Sequence, residues 1–177
     1  MNPKTEKLQQ AKDPNASIKL LVTMFLALFL ISCAGSRVRL PIKTSLGNLV
    51  SIEKKDSVTT DERTISAEAG KVLYLLSFEG KSEITYEGAE REALQTLTIS
   101  DSKGTEFAPV YSGSPTNTGT LSGKDWRYNG ALKPQNGKFV FAGVLSVPSG
   151  KIALVYSVPK DISDLSLKDG KEKHPID

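Results

Sequence analysis

The chain has 177 residues, one cysteine, one histidine and a formal net charge of +3 at pH 7. Residues 1–32 carry four lysines and two acidic residues, so the formal charge falls to about +1 without them. This near balance gives no indication of a nucleic-acid surface. A single cysteine excludes an intramolecular disulfide, so the fold must rest on packing alone.

Residues 1–32 have the layout of an export signal. A polar leader with four lysines precedes the uncharged run Leu20–Ile31. A transmembrane helix needs about 20 apolar residues, so we interpret this shorter run as the core of a signal peptide. A signal-anchor helix is the alternative. Translation from Met24 would leave almost no basic region, so we take Met1 as the start.

Cys33 follows the apolar run directly, in the context Leu30-Ile31-Ser32-Cys33-Ala34-Gly35. This context resembles a bacterial lipoprotein processing site, or lipobox. The resemblance implies cleavage between Ser32 and Cys33 and attachment of lipid to the Cys33 thiolate. Two acyl chains of roughly fifteen carbons give on the order of 20 kcal/mol of membrane affinity. Ala34 after the cysteine implies sorting to the outer membrane if the host is Gram-negative. An ordinary buried cysteine is the alternative.

Beyond the signal we expect a lipidated tether over residues 33–45, a β domain over 46–168 and a disordered, charged tail over 169–177. The run Lys71–Glu79 is apolar on both faces, which predicts a central strand. A helical turn over Gly88–Ala93 would be too short to matter. The other predicted strands are Leu46–Glu53, Val58–Ala67, Ile84–Glu87, Leu94–Ser100, Thr105–Tyr111, Trp126–Leu132, Lys138–Val147, Lys151–Val158 and Ile162–Leu167.

Turn signals predict how several of these strands connect. Asp101-Ser102-Lys103-Gly104 indicates a hairpin turn, and Pro148-Ser149-Gly150 predicts a tight antiparallel hairpin between its flanking strands. Ser112–Lys124 is rich in Ser, Thr, Gly and Pro, so we expect a long exposed loop. We expect the strand at Trp126–Leu132 to be broken at Asn129-Gly130.

About seven to nine short strands without a long helix predict an all-β antiparallel sandwich of immunoglobulin-like architecture. The closing stretch Val147–Leu167 has a Pro-x-Gly turn, a strand ending in Val-Pro and a strand reading Asp-Leu-Ser-Leu. Together with Ala69–Gly80 and Leu97–Pro109, it resembles an immunoglobulin-like domain of unknown function. That domain occurs in bacterial lipoproteins and is akin to the immunoprotective extracellular antigens. The family has no agreed catalytic residues, so the resemblance implies fold and export only.

Residue patterns for catalysis or metal binding are weak. His174 is the only histidine and lies in the tail, where a Ser-His-Asp triad cannot be held in place. Ser100 and Lys103 match Ser-x-x-Lys, but on a strand end and a turn instead of a helix. The acidic groups lack metal-loop spacing or a cleft, so we expect solvated faces, no metal and no cofactor. These groups are Asp161, Asp164 and Asp169; Asp101 and Glu106; and Glu83, Glu87, Glu90 and Glu92 around Arg91.

Trp126-Arg127-Tyr128 is the candidate binding patch, because Trp and Arg are frequent anchors of binding hot spots. Packing of Trp126 in the core, with Tyr128 over it, is the alternative that we favour for the tryptophan. We therefore expect a lipid-anchored, non-enzymatic binding module in the bacterial cell envelope, with a protein, glycan or other envelope component as partner. A structural accessory that assembles with an envelope complex through sheet edges is the second hypothesis.

Overall fold

The computed structural model describes residues 38–88, 94 and 96–177. The described chain is all-β, and its named strands pair antiparallel throughout. The strands are β1 (Ile42–Thr44), β2 (Gly47–Lys55), β3 (Ser57–Thr59), β4 (Thr64–Ser66), β5 (Lys71–Glu79), β6 (Glu83–Glu87), β7 (Leu97–Ser100), β8 (Glu106–Phe107), β9 (Pro109–Pro115), β10 (Leu121–Ser122), β11 (Arg127–Gln135), β12 (Lys138–Ser146), β13 (Lys151–Pro159), β14 (Ser166–Asp169) and β15 (Glu172–Pro175).

The strands form one large sheet and three smaller ones. The large sheet has the order β1-β2-β5-β13-β9-β10. A three-stranded sheet has the order β11-β12-β6, a four-stranded sheet has the order β15-β14-β7-β8, and β3 pairs with β4. At the centre of the large sheet, β13 pairs with β5 and β9 from distant parts of the sequence, so the topology depends on long-range pairing.

Strands β5 and β13 form the centre of the large sheet and are covered on both faces. Tyr74, Leu76 and Phe78 of β5 lie in the main core, which also includes residues of the three- and four-stranded sheets. Leu73 lies on the opposite face, in a second core completed by side chains of β3, β10 and β13. The prediction of a central strand over Lys71–Glu79 is confirmed, because apolar side chains at successive positions need cover on both sides.

The predicted hairpin between Lys138–Val147 and Lys151–Val158 is wrong. β12 pairs with β11 and β6, whereas β13 pairs with β5 and β9. The Pro148-Ser149-Gly150 turn therefore connects two different sheets. Both strands then direct apolar side chains into the main core, since Leu145 and Leu154 are both fully buried there.

Two other connections also differ from the predictions. Val58–Ala67 is a hairpin of β3 and β4 instead of one strand. Ser112–Lys124 is not a long exposed loop, because β9 continues to Pro115 and returns as β10, where Leu121 is 3% exposed. Leu121 belongs to the second core, so burial of one apolar residue in a polar stretch draws the chain back onto the sheet.

The strand predicted at Trp126–Leu132 is continuous, so the expected break at Asn129-Gly130 is wrong. Nine successive residue pairs join β11 to β12. The side chains around Gly130 leave no room for a Cβ at this position of the strand. A Cβ there would lie 2.6 Å from Phe141 Cε1 and 2.9 Å from Tyr86 Oη.

The two ends of the described chain are ordered into sheets. β1 joins the large sheet within the part predicted as a tether. The expectation of a disordered tail over 169–177 is wrong, because β15 pairs with β14 and Ile176 is 4% exposed in the main core. The sequence-based prediction considered the charged residues of this segment and overlooked Ile176. The helical turn predicted over Gly88–Ala93 falls largely outside the described residues.

Candidate functional site

Ser32 and Cys33, the predicted cleavage and lipidation site, lie outside the described residues. Within residues 38–88, 94 and 96–177, no helix is long and apolar enough to cross a membrane. The lipidation of Cys33 therefore remains a prediction from sequence.

Trp126 lies in the main core and is 9% exposed. Its indole Nε1–H donates a hydrogen bond to Ser114 Oγ at 2.6 Å. Ser114 Oγ in turn donates to the carbonyl of Lys151 at 2.7 Å. Trp126 thus joins the start of β11 to the large sheet, and its indole offers little surface to a ligand.

Arg127 and Tyr128 lie next to each other on β11 but point to opposite faces, since side chains alternate along a strand. Arg127 is exposed, and Tyr128 is 39% exposed. The Tyr128 ring meets the Tyr86 ring edge-on, with centroids 6.2 Å apart and an angle of 80°. The three residues of the predicted patch therefore do not form one contiguous binding surface.

Tyr86 and Phe141 stack at the base of a two-stranded extension, with ring centroids 6.3 Å apart and an angle of 26°. Both rings lie against the Cα of Gly130, which leaves no room for a side chain there. On the neighbouring strand, a Cβ at Gly143 would lie 2.3 Å from the Asn129 carbonyl oxygen. The two glycines allow the backbones and the aromatic rings to approach closely.

Beyond this base, β11 and β12 continue as a pair without a third strand among the described residues, since the register of β12 with β6 begins at Ala142. One further backbone bond joins the Gly88 N–H to the Phe141 carbonyl at 2.7 Å. We call Leu132–Phe141 the apolar arm. Its register sets Leu132 opposite Phe141 and Pro134 opposite Phe139, so these four side chains share one face.

The shared face of the apolar arm is largely open to solvent. Leu132 is 65% exposed and Phe139 is 73% exposed. Among the described residues, these are the two most exposed large hydrophobic side chains. Contiguous exposed apolar surface is a feature of interaction sites in soluble proteins.

The opposite face of the apolar arm is polar and basic. It carries Lys133 and Lys138 with Gln135 and Val140, and the arm contains no acidic residue. The hairpin turns at Asn136-Gly137 with φ values of 50° and 76°, the left-handed geometry of a tight two-residue turn. The Asn-Gly pair at this turn is the sequence signal for the hairpin, but the preceding strand was predicted to end at Leu132, and the prediction did not use the signal.

A second feature that sequence reasoning missed is a hydrogen-bond cluster at Asp61. Its carboxylate accepts bonds from Tyr111 Oη at 2.8 Å and from Ser122 Oγ at 3.0 Å. The Tyr111 hydrogen bond is the main reason that the pKa of Asp61 lies below its ordinary value. Burial and the same bond raise the pKa of Tyr111 to about 12. The cluster fastens the β3–β4 turn to β9 and β10, so we read it as structural.

The residues considered for nucleophilic catalysis do not come together. Ser100 is 2% exposed and lies opposite Ser166 on β14, whereas His174 lies opposite the next residue, Leu167. Because adjacent positions face opposite sides of a sheet, Ser100 and His174 point away from each other. Lys103 lies in the turn after β7, away from the helical geometry that a Ser-x-x-Lys pair needs.

The acidic groups do not form a metal site within the described residues, where no cluster of three or more His, Cys, Asp or Glu side chains occurs. Asp169 accepts hydrogen bonds from the backbone N–H and the hydroxyl of Ser45. Burial acts to raise the pKa of Asp101, but hydrogen bonds chiefly from Thr105 and Lys103 outweigh it and lower that pKa. Glu83 and Glu87 are exposed on β6, and Glu90 and Glu92 lie outside the described residues.

No protein-family model matches the chain, and no curated protein or solved structure is significantly similar to it.

Proposed function

We propose that this chain is a lipid-anchored lipoprotein of the bacterial cell envelope, whose β domain is a non-enzymatic binding module. In this proposal, Cys33 carries the lipid, and the packed sheets form an immunoglobulin-like sandwich. The anchor rests on the sequence pattern of a basic leader, a short apolar core and a cysteine followed by small residues.

The observation that carries the binding role is the exposed face of the apolar arm. Leu132 and Phe139 would be costly to leave in water, since burial of a Leu or Phe side chain contributes about 1.5–3 kcal/mol. The main core already holds many fully buried side chains, so the domain does not lack apolar residues for its own packing. A face kept open beside a well-filled core favours contact with another envelope component.

The site geometry favours binding over catalysis. Ser100, Lys103 and His174 lie on separate faces or in turns, and the Asp61 carboxylate beside the Ser122 hydroxyl also accepts the Tyr111 hydrogen bond that fastens β9. The second hypothesis, assembly through sheet edges, is favoured less. β11 is the longest edge strand among the described residues, and its distal half carries Lys133 and Pro134. Both residue types discourage the addition of another strand.

Metabolic labelling with radioactive palmitate tests the anchor. The parent chain should incorporate label and sediment with membranes, whereas Cys33→Ser should lose the label and leave unprocessed or soluble protein. Phe139→Ser is the matched control, because it changes an exposed residue far along the chain and should keep the label. Undiminished palmitate incorporation in Cys33→Ser would refute the anchor.

A further inference from the structure

The apolar arm is a two-sided ribbon whose faces differ sharply in chemistry. Leu132, Pro134, Phe139 and Phe141 occupy one face, and both lysines of the arm occupy the other. A ribbon with an apolar face and a basic face has the same pattern as interfacial amphipathic helices, which lie in the plane of a membrane surface. The lysine stems are long enough to reach around the ribbon while their ammonium groups stay in water.

The positive charge of the arm favours an anionic partner. Its two lysines have no acidic neighbour within the arm. On β6, Glu87 lies opposite Ala142, directly beyond the arm, and Glu83 lies farther away, opposite Ser146. A second copy of the arm would bring only apolar side chains to this face and would leave the lysines without an opposite charge. An anionic surface would attract the arm, at about 1 kcal/mol per lysine near the lipid headgroups.

The backbone of the arm also disfavours a partner strand. Pro134 has no N–H to donate along the exposed edge of β11, and Lys133 would have to be brought against a new neighbour. Contact through the apolar face requires no such pairing. A bilayer supplies apolar chains to that face without needing a matching register.

The anchor would hold the domain where such contact can occur. The stretch from Cys33 to Ile42, where β1 begins, spans at most about 30 Å when fully extended. We propose that the apolar arm lies on the anionic phospholipid surface of the membrane that carries the lipid anchor, with Leu132 and Phe139 against the acyl chains and Lys133 and Lys138 at the phosphate groups. This proposal rests on the proposed function, because a tethered domain meets its bilayer at high effective concentration.

An environment-sensitive fluorophore on a single engineered cysteine tests the contact. Phe139→Cys is made in the full chain, and the processed lipoprotein is purified, labelled and reconstituted in phosphatidylethanolamine vesicles containing phosphatidylglycerol. Emission from position 139 should shift to the blue and be quenched by spin-labelled lipid. Val110→Cys is the matched control, because Val110 is 50% exposed on β9, outside the arm, and its probe should stay in water.

Charge removal tests the anionic partner. Lys133→Gln with Lys138→Gln should lower the lipid-contact equilibrium of the probe at position 139 by about fivefold per lysine. Lys103→Gln with Lys160→Gln removes two exposed lysines elsewhere and should leave it unchanged. Vesicles of phosphatidylcholine alone should give the weaker contact. Unchanged thermal unfolding of each variant establishes that the fold is retained.

Three results would overturn the proposal. The first is a probe at position 139 as exposed to water as the probe at 110 in phosphatidylglycerol vesicles. The second is equal contact in neutral vesicles with no effect of the lysines, and the third is shielding that appears only when an acidic protein is added. The parent chain tests the anchor separately. Reaction of the fluorophore with Cys33 in the parent would show a free thiol and overturn the proposed function. A parent that does not react, together with an exposed probe at 139, would overturn only the arm contact.

Discussion

Strands β13 and β11 are each nine residues long, yet they differ in burial. β13 lies between β5 and β9, and five successive residues from Ile152 to Tyr156 are buried. β11 is a sheet edge and is exposed along its whole length. The difference shows that strand formation in this chain does not depend on burial alone. β11 is held by its pairing with β12 and by the aromatic rings at its base, which leaves its outer half available to a partner.

The largest expected effect is a difference in the free energy of unfolding between variants of β13 and β11. Leu154→Ala removes a fully buried side chain from β13 and should lower the free energy of unfolding by about 3 kcal/mol. Leu132→Ala on β11 should change it by less than about 0.5 kcal/mol, because the side chain is mostly in water. Urea denaturation followed by circular dichroism measures both. Equal losses would mean that the apolar arm is part of the core.

The next effect tests the base of the arm. Gly143→Ala places a Cβ 2.3 Å from the Asn129 carbonyl oxygen, so the two strands must separate, at a cost of about 2 kcal/mol. Gly123→Ala is the control, since the nearest atom to a Cβ there is 3.9 Å away. Thermal unfolding compares the two variants. A stable Gly143→Ala would show that the close approach of β11 and β12 is not needed.

A smaller effect is expected where β11 begins. Ser114→Ala removes the hydrogen-bond acceptor of the Trp126 indole and should cost about 1.5 kcal/mol, because the buried N–H is left without its partner. Ser112→Ala, a half-buried serine of the same strand, should cost less. Chemical denaturation measures the difference. A red shift of the tryptophan emission in Ser114→Ala would show in addition that water reaches the indole.

The smallest effect is a dependence on alkaline pH. The pKa of Tyr111 is raised from 10.0 to about 12, so the folded chain keeps a proton that the unfolded chain loses. The contribution of Tyr111 to stability should therefore be constant between neutral pH and pH 10 and fall by about 1 kcal/mol towards pH 12, a modest value because the partly exposed ring is screened. Burial also raises the pKa of Tyr156, so the readout is the difference between the parent and Tyr111→Phe. Parallel curves would contradict the Asp61–Tyr111 cluster.

The sequence predicted the all-β class and the bounds of β5, because apolar residues on both faces of a short segment leave few alternatives. It did not predict the partners of β12 and β13. The turn Pro148-Ser149-Gly150 is a local signal, whereas pairing with β5 and β9 depends on residues distant in the chain. Long-range pairing of this kind carries no short sequence signature.

The sequence singled out Trp126, Arg127 and Tyr128 but did not point to the exposed face of the apolar arm, for a physical reason. Trp126 and Arg127 are typical binding residues, but the tryptophan is buried and bonded to Ser114. The exposed face consists of Leu132 and Phe139, which a sequence pattern assigns to a core. Only the register of β11 against β12, and the end of the pairing with β6, reveal that these side chains lack cover from the described residues.

Mass spectrometry of the amino-terminal peptide from the native protein tests the lipid anchor. The mature chain should begin at Cys33, and this residue should carry the mass of a diacylglyceryl group. A peptide that retains residues 1–32 and carries a free Cys33 thiol would contradict the anchor.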